Sequence, residues 1–91
     1  MIAALKDRIE AACVASRKSV KEAWNLKLHG DPWHAVMEKA IAKLHLGIGI
    51  FEAIHSCLDD ADRKQTEEDL KFTHEQIQLI QKAAAPFFEK E

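Results

Sequence analysis

Along most of the chain apolar residues recur at three- and four-residue steps, which is the period of an α-helix and not the two-residue alternation of a half-buried strand. The first stripe is Ile2, Leu5, Ile9, Cys13, Ser16, Val20 and Trp24. The second is Met37, Ile41, Leu44, Ile48, Phe51, His55 and Leu58, and the third Leu70, His74, Ile77, Ile80 and Ala84. Between the first two stripes, His29-Gly30-Asp31-Pro32 offers a glycine to end one helix, then an N-cap aspartate and a first-turn proline to start another. The second boundary lies between Asp59 and Thr66, where Asp59, Asp60 and Asp62 are candidate N-caps and Thr66 with Asp69 forms a weaker capping-box-like alternative. Pro86 is expected to stop the third helix at Ala85 and to leave 87–91 non-helical. The pattern therefore predicts helices over about 2–28, 32–60 and 66–85 in one domain spanning 1–91.

Antiparallel helices joined by a short turn pair residues whose numbers sum to a near-constant value. Trp24 with Met37, Val20 with Ile41, Cys13 with Ile48 and Ile9 with Phe51 sum to 60 or 61, centred on Gly30. Leu58 with Leu70, His55 with His74, Phe51 with Ile77 and Ile48 with Ile80 sum to 128 or 129, centred on Lys64. Both registers use the same stripe of the second helix, so the expected fold is all-α, an antiparallel up-down-up three-helix bundle. A hairpin that dimerises through the same faces satisfies the pattern too, with 47–51 as its seam. Gly47 and Gly49 each cost a helix interior about 1 kcal/mol relative to alanine, and two readings compete for them. Either a neighbour approaches the backbone closely there, or the second helix is kinked or broken.

Size and composition narrow the picture. Ninety-one residues support one hydrophobic core. The longest uncharged, His-free apolar run is the six residues from Leu46 to Phe51, far short of the roughly 20 that a membrane span needs. Lys6, Asp7, Arg8 and Glu10 interrupt any apolar leader, which places the expected location in the cytoplasm. The net charge of −2 argues against a nucleic-acid partner. It is unevenly spread, +3 over 1–30, −1 over 31–58 and −4 over 59–91. Matching to helix dipoles accounts for this split, and so would a basic stripe of Arg17, Lys18, Lys21 and Lys27 that docks an acidic partner.

None of the familiar catalytic, phosphate-binding or metal-binding motifs occurs, and no enzyme activity or cofactor is expected. The 128–129 register sets His55 opposite His74 with Leu5 as the third member of the layer, an arrangement suited to a structural or acid-sensitive pair, or as an alternative to a metal or ligand site. His29, Asp31 and His34 cluster at the first turn, where Asp31 is expected to be occupied as a cap. Cys13 and Cys57 fall in different layers and read as reduced thiols. Trp24 and Trp33 flank the first turn, and Phe87 with Phe88 reaches the same end of the bundle. Rimmed by Lys27, His29, His34 and Glu89, these aromatics serve either as an end cap or as a partner-binding patch carried by Trp33 and Phe88. The expected function is a small non-enzymatic interaction module, an adaptor, regulator or inhibitor that occupies a protein partner's surface. Analogy of size alone admits a phage or mobile-element origin, inhibitors of host defence included.

Overall fold

A computed structural model of the chain describes residues 2–88, with side-chain surroundings for 2–83. It is an all-α three-helix bundle: α1 (Ile2–Leu28), α2 (His34–Ile54) and α3 (Asp60–Phe88), measuring 48 × 18 × 16 Å. The α2 helix runs antiparallel to α1. Parallel to α1 lies α3, since Lys6 meets Asp62 and Arg17 meets Thr73, each pair 56 residues apart. Among the described residues no helix is long and apolar enough to cross a membrane.

The first turn forms where the sequence places it, by different chemistry from that expected. Gly30 adopts a φ of +77°, and the chain reverses there. Its N–H bonds the Lys27 carbonyl (3.0 Å), and the Asp31 N–H bonds that of Leu26 (2.9 Å). This paired closure satisfies the last carbonyls of α1. It also consumes Asp31 as part of the α1 ending, so Asp31 is not the N-cap of α2. That helix starts at His34, two residues after Pro32, with Trp33 in the cap position and no side-chain cap.

The second turn comes earlier than the register predicts. The α2 helix ends at Ile54, a single 3-10 turn covers His55–Cys57, and Leu58 is extended with its side chain buried. Asp59 then caps α3, its Oδ1 accepting the Asp62 N–H at 2.7 Å. Arg63 reaches back over the turn and donates to the carbonyls of His55 (3.1 Å) and Leu58 (3.0 Å). Thr66 caps nothing. Its hydroxyl bonds the Asp62 carbonyl inside α3. The helix therefore begins six residues before the expected start at 66, and it continues past the expected end at Ala85, through Pro86, which lacks one N–H in the closing turns.

The two registers fare differently. Ser16 bonds Ala40, Ser19 bonds Lys43, and Ala12 touches Gly47, sums of 56 to 62 that bracket the expected 60–61. Gly47 touches Leu70, however, a sum of 117 instead of 128–129. The α3 helix is thus displaced along α2 by about three turns, the consequence of turning at 58–59 and not at Lys64.

The core holds Ile9, Cys13, Val20, Ala23, Met37, Ala40, Leu44, Ile54, Leu58, Leu70 and Ile77. On α3 the buried stripe is Thr66, Leu70, Thr73 and Ile77, so Thr73 replaces the expected His74, which is exposed. Both threonine hydroxyls bond the carbonyl four residues earlier, which leaves their methyl groups to pack. The α2 helix is continuous through Gly47 and Gly49. A Cβ at Gly47 would lie 3.4 Å from Ala12 Cβ and 3.4 Å from Leu70 Cδ2, so close approach explains this glycine. Nothing lies within 4 Å of a Cβ at Gly49. Within the segment 47–51, Gly47 is buried against α1 and α3, while Gly49 is exposed.

Candidate interaction surface

Of the residues singled out at the aromatic end, Trp33 is half-buried and packs on the core, its ring stacked 4.4 Å from that of exposed His34. Trp24 is half-buried as well, and the Lys27 ammonium sits 4.6 Å from its ring centroid. The side chains of Phe87 and Phe88 lie outside the described residues. His29 turns its Nδ1 onto the Asn25 carbonyl at 2.7 Å, at the C-terminus of α1. Of the two tryptophans, Trp33 packs on the core, while Trp24 is half-buried under Lys27.

The histidine layer is not formed. His55 is exposed in the 3-10 turn, its Nδ1 2.8 Å from the Glu52 carbonyl and its ring tilted against Phe51 at 6.0 Å. His74 is exposed fourteen residues beyond Asp60, roughly 21 Å along the axis of α3. The three-turn displacement of α3 separates them, and it removes the buried pair on which acid sensitivity was to rest. Among the described residues no group of three or more His, Cys, Asp or Glu side chains could hold a metal ion.

Polar chemistry is concentrated instead between α1 and α3. Arg17 Nη1 donates to Asp69 Oδ1 (2.9 Å) and to Thr73 Oγ1 (2.8 Å), and the Thr73 hydroxyl donates to the Asp69 carbonyl (2.9 Å). Cys13 lies fully buried beside them. Burial pushes its thiol up to about 11; the hydrogen bond with Thr73 acts against this, the Asp69 charge adds to it, and Arg17 partly offsets it. A thiol so placed stays protonated at neutral pH and is a poor nucleophile. Cys57 is exposed, and both cysteines are free. One helical turn from the start of the seam, Lys6 and Asp62 pair at 2.9 Å, a hydrogen bond that raises the Lys6 pKa.

These long side chains do not close the seam. On its outer side a cleft of about 520 Å³ opens between the helices, floored by Val14, Val20, Phe72 and Ile80 and rimmed by Arg17, Lys18, Lys21 and Gln76. Val14 is 51% exposed and Phe72 49%. The Arg17 guanidinium sits over the Phe72 ring, 5.5 Å from its centroid, and is held there by Asp69. Three cations and no carboxylate line this cleft, in a protein whose net charge is −2. A smaller cleft of about 210 Å³ continues along the seam past Arg17, lined by Lys6 and Arg17 together with Glu10 and Asp69, so its charge is mixed.

Sequence reasoning named the cations of this surface but not its apolar floor. The available signal was Val14 and Phe72, two sizeable apolar residues that fall between stripe positions and so point away from the core. Comparison with known proteins leaves the reading to the site itself: no family model, no curated protein and no solved structure matches the chain.

Proposed function

We propose that the chain is a non-enzymatic protein-interaction module that docks its partner on the α1/α3 face and acts by occupying that partner's surface. The observation that carries this reading is the cleft at Phe72, where a half-exposed aromatic under a fixed arginine is bordered by unopposed lysines. Aromatic and arginine side chains together are the usual anchors of protein interfaces, and apolar surface left open beside them favours a partner over solvent. A catalytic reading has little to stand on, since the buried Cys13 thiol is held protonated and its neighbours are spent on one another. The aromatic end is read as the cap of the bundle, with Trp33 packed on the core.

Affinity capture from the lysate of the cell that expresses the chain tests this, with wild-type bait beside Lys18→Glu/Lys21→Glu and Trp33→Ala baits. A partner lost from the charge-reversed bait, whose helicity is unchanged by circular dichroism, is the expected result. Equal capture by the wild-type and charge-reversed baits would remove the α1/α3 face from consideration. Loss only with Trp33→Ala would return the site to the aromatic end.

A further inference from the structure

We infer that the occupant of the α1/α3 cleft is an acidic amphipathic α-helix, seated between α1 and α3 as a fourth helix of the bundle. The inference rests on the interaction role proposed above and adds the chemistry of the partner.

Backbone accounting comes first. The described chain is helical apart from two short turns and presents no sheet edge, so an extended peptide would find no row of unpaired N–H and C=O groups to join. A helix brings its own backbone bonds and offers only side chains. The cleft is shaped for that. Its walls are ridges of two parallel helices, Val14, Lys18 and Lys21 on α1 and Phe72, Gln76 and Ile80 on α3, residues at three- and four-residue steps. A groove between such ridges receives the matching ridge of a third helix.

Charge sets the composition of that helix. Arg17 is anchored by Asp69, but neither Lys18 nor Lys21 forms an ion pair with any described residue. Both therefore remain available to carboxylates flanking a partner's apolar stripe. A long phosphate polymer or an anionic bilayer fits less well. Beyond the cleft α3 carries Glu67, Glu68 and Glu75, all exposed, and the last third of the chain sums to −4. An extended anionic surface would meet that repulsion along its whole length, whereas a helix can confine its carboxylates to the positions that face Lys18 and Lys21.

The test uses the full chain and a displayed library of peptides of about 18 residues, long enough to hold helix. Each has a fixed stripe of Leu, Ile and Phe, and its flanking positions are drawn equally from Glu, Gln and Lys. Selection is expected to enrich Glu. An enriched peptide should weaken at least tenfold when its Glu residues become Gln, and should lose binding to Phe72→Ala. Lys18→Glu/Lys21→Glu should invert the preference and enrich Lys. Selection of peptides without regard to charge, still lost with Phe72→Ala, would overturn the acidic partner but leave the docking face standing. No enrichment, with lysate capture still sensitive to Lys18→Glu/Lys21→Glu, would overturn the helical partner alone. If lysate capture is insensitive as well, both readings fall. Tighter binding to oligo-dT or to vesicles rich in phosphatidylserine than to the best peptide would overturn the inference in favour of that polyanion.

Discussion

The two seams that α1 makes with its neighbours are built on opposite principles. Against α2 it presents Ala12, Ser16, Ser19 and Ala23, all buried, and α2 answers with Ala40 and Gly47. Small side chains let the backbones come close enough for the Ser16 hydroxyl to reach the Ala40 carbonyl at 2.7 Å. Against α3 it presents Lys6 and Arg17, which pair with Asp62 and Asp69. Long ionic side chains bridge that seam beside the buried Cys13 and Thr73, and clefts open along it. Packing at the first seam supplies dispersion and apolar burial that ion pairs at the second do not replace, since partly exposed salt bridges contribute little. Close packing and open clefts thus fall on opposite sides of one helix.

The largest expected effect comes from closing the tight seam to itself. Gly47→Leu must place a branched side chain where even a Cβ meets Ala12 and Leu70 at 3.4 Å, so it forces α1, α2 and α3 apart together. A loss of about 3 kcal/mol is expected in urea denaturation, with helix content falling at lower temperature. A variant as stable as wild type would mean that the α1/α2 seam yields as readily as the other, and the contrast between them would disappear.

The same contrast explains what was legible in the sequence. Gly30 has no rival nearby and two strong apolar stripes converge on it, so the α1/α2 register could be read directly. The α2/α3 register could not, because Asp59 and Thr66 compete as caps seven residues apart and only the fold selects Asp59. Choosing the later cap moved His74 into the core on paper and Thr73 out of it. Thr66 and Thr73 hid the true stripe, since a threonine whose hydroxyl is satisfied by its own helix packs as a small β-branched residue while its letter reads as polar. The α1/α3 cleft was half legible for a related reason. Its lysines register as a charge run, but Val14 and Phe72 gain meaning only once a second helix is laid beside the first. At the aromatic end the sequence supplies residue type without burial: Trp24 and Trp33 are half-buried, and the side chains of Phe87 and Phe88 lie outside the described residues.

A smaller effect, on the order of 2 kcal/mol, is expected from Cys13 in alkali. Its folded pKa of about 11 lies above that of an exposed thiol. Below pH 9 both folded and unfolded chains hold the proton, and the contribution is fully present. Between about 9 and 11 the unfolded chain releases it first, so unfolding is favoured as pH rises and stability declines across that window. Lys6, also raised, loses its contribution in the alkaline range too, which makes the comparison of wild type with Cys13→Ala the informative one. The extra alkaline slope of urea midpoints should vanish in the variant. At pH 8 a thiol reagent should titrate Cys57 at once and Cys13 only on unfolding. Rapid labelling of both would mean that the α1/α3 seam opens far enough to admit the reagent, and is looser than its hydrogen bonds imply.

Arg17→Met sharpens the second seam. Methionine keeps an unbranched chain over Phe72 but removes the bonds to Asp69 and Thr73, which lie partly exposed. About 1 kcal/mol should be lost, less at high salt. A loss near that of Gly47→Leu would show that the polar seam carries as much of the fold as the packed one.

The smallest effect is also the cleanest control, because α2 carries two glycines in one continuous helix with different surroundings. Gly49 is exposed and has open space where a Cβ would go, so Gly49→Ala gains the helix-propensity difference and should stabilise by about 1 kcal/mol. Gly47→Ala gains the same backbone term but must fit its methyl against Ala12 and Leu70 at 3.4 Å, at the edge of ordinary contact, so its net change should lie near zero. Taking the difference between the two variants cancels the propensity and leaves what the tight seam charges for one methyl group. If both alanines stabilise alike, the seam has slack at Gly47 and the glycine there is not required by the approach of α1. If Gly49→Ala instead destabilises, the outer face of α2 is covered in solution, and a concentration series by light scattering would show whether a second copy covers it.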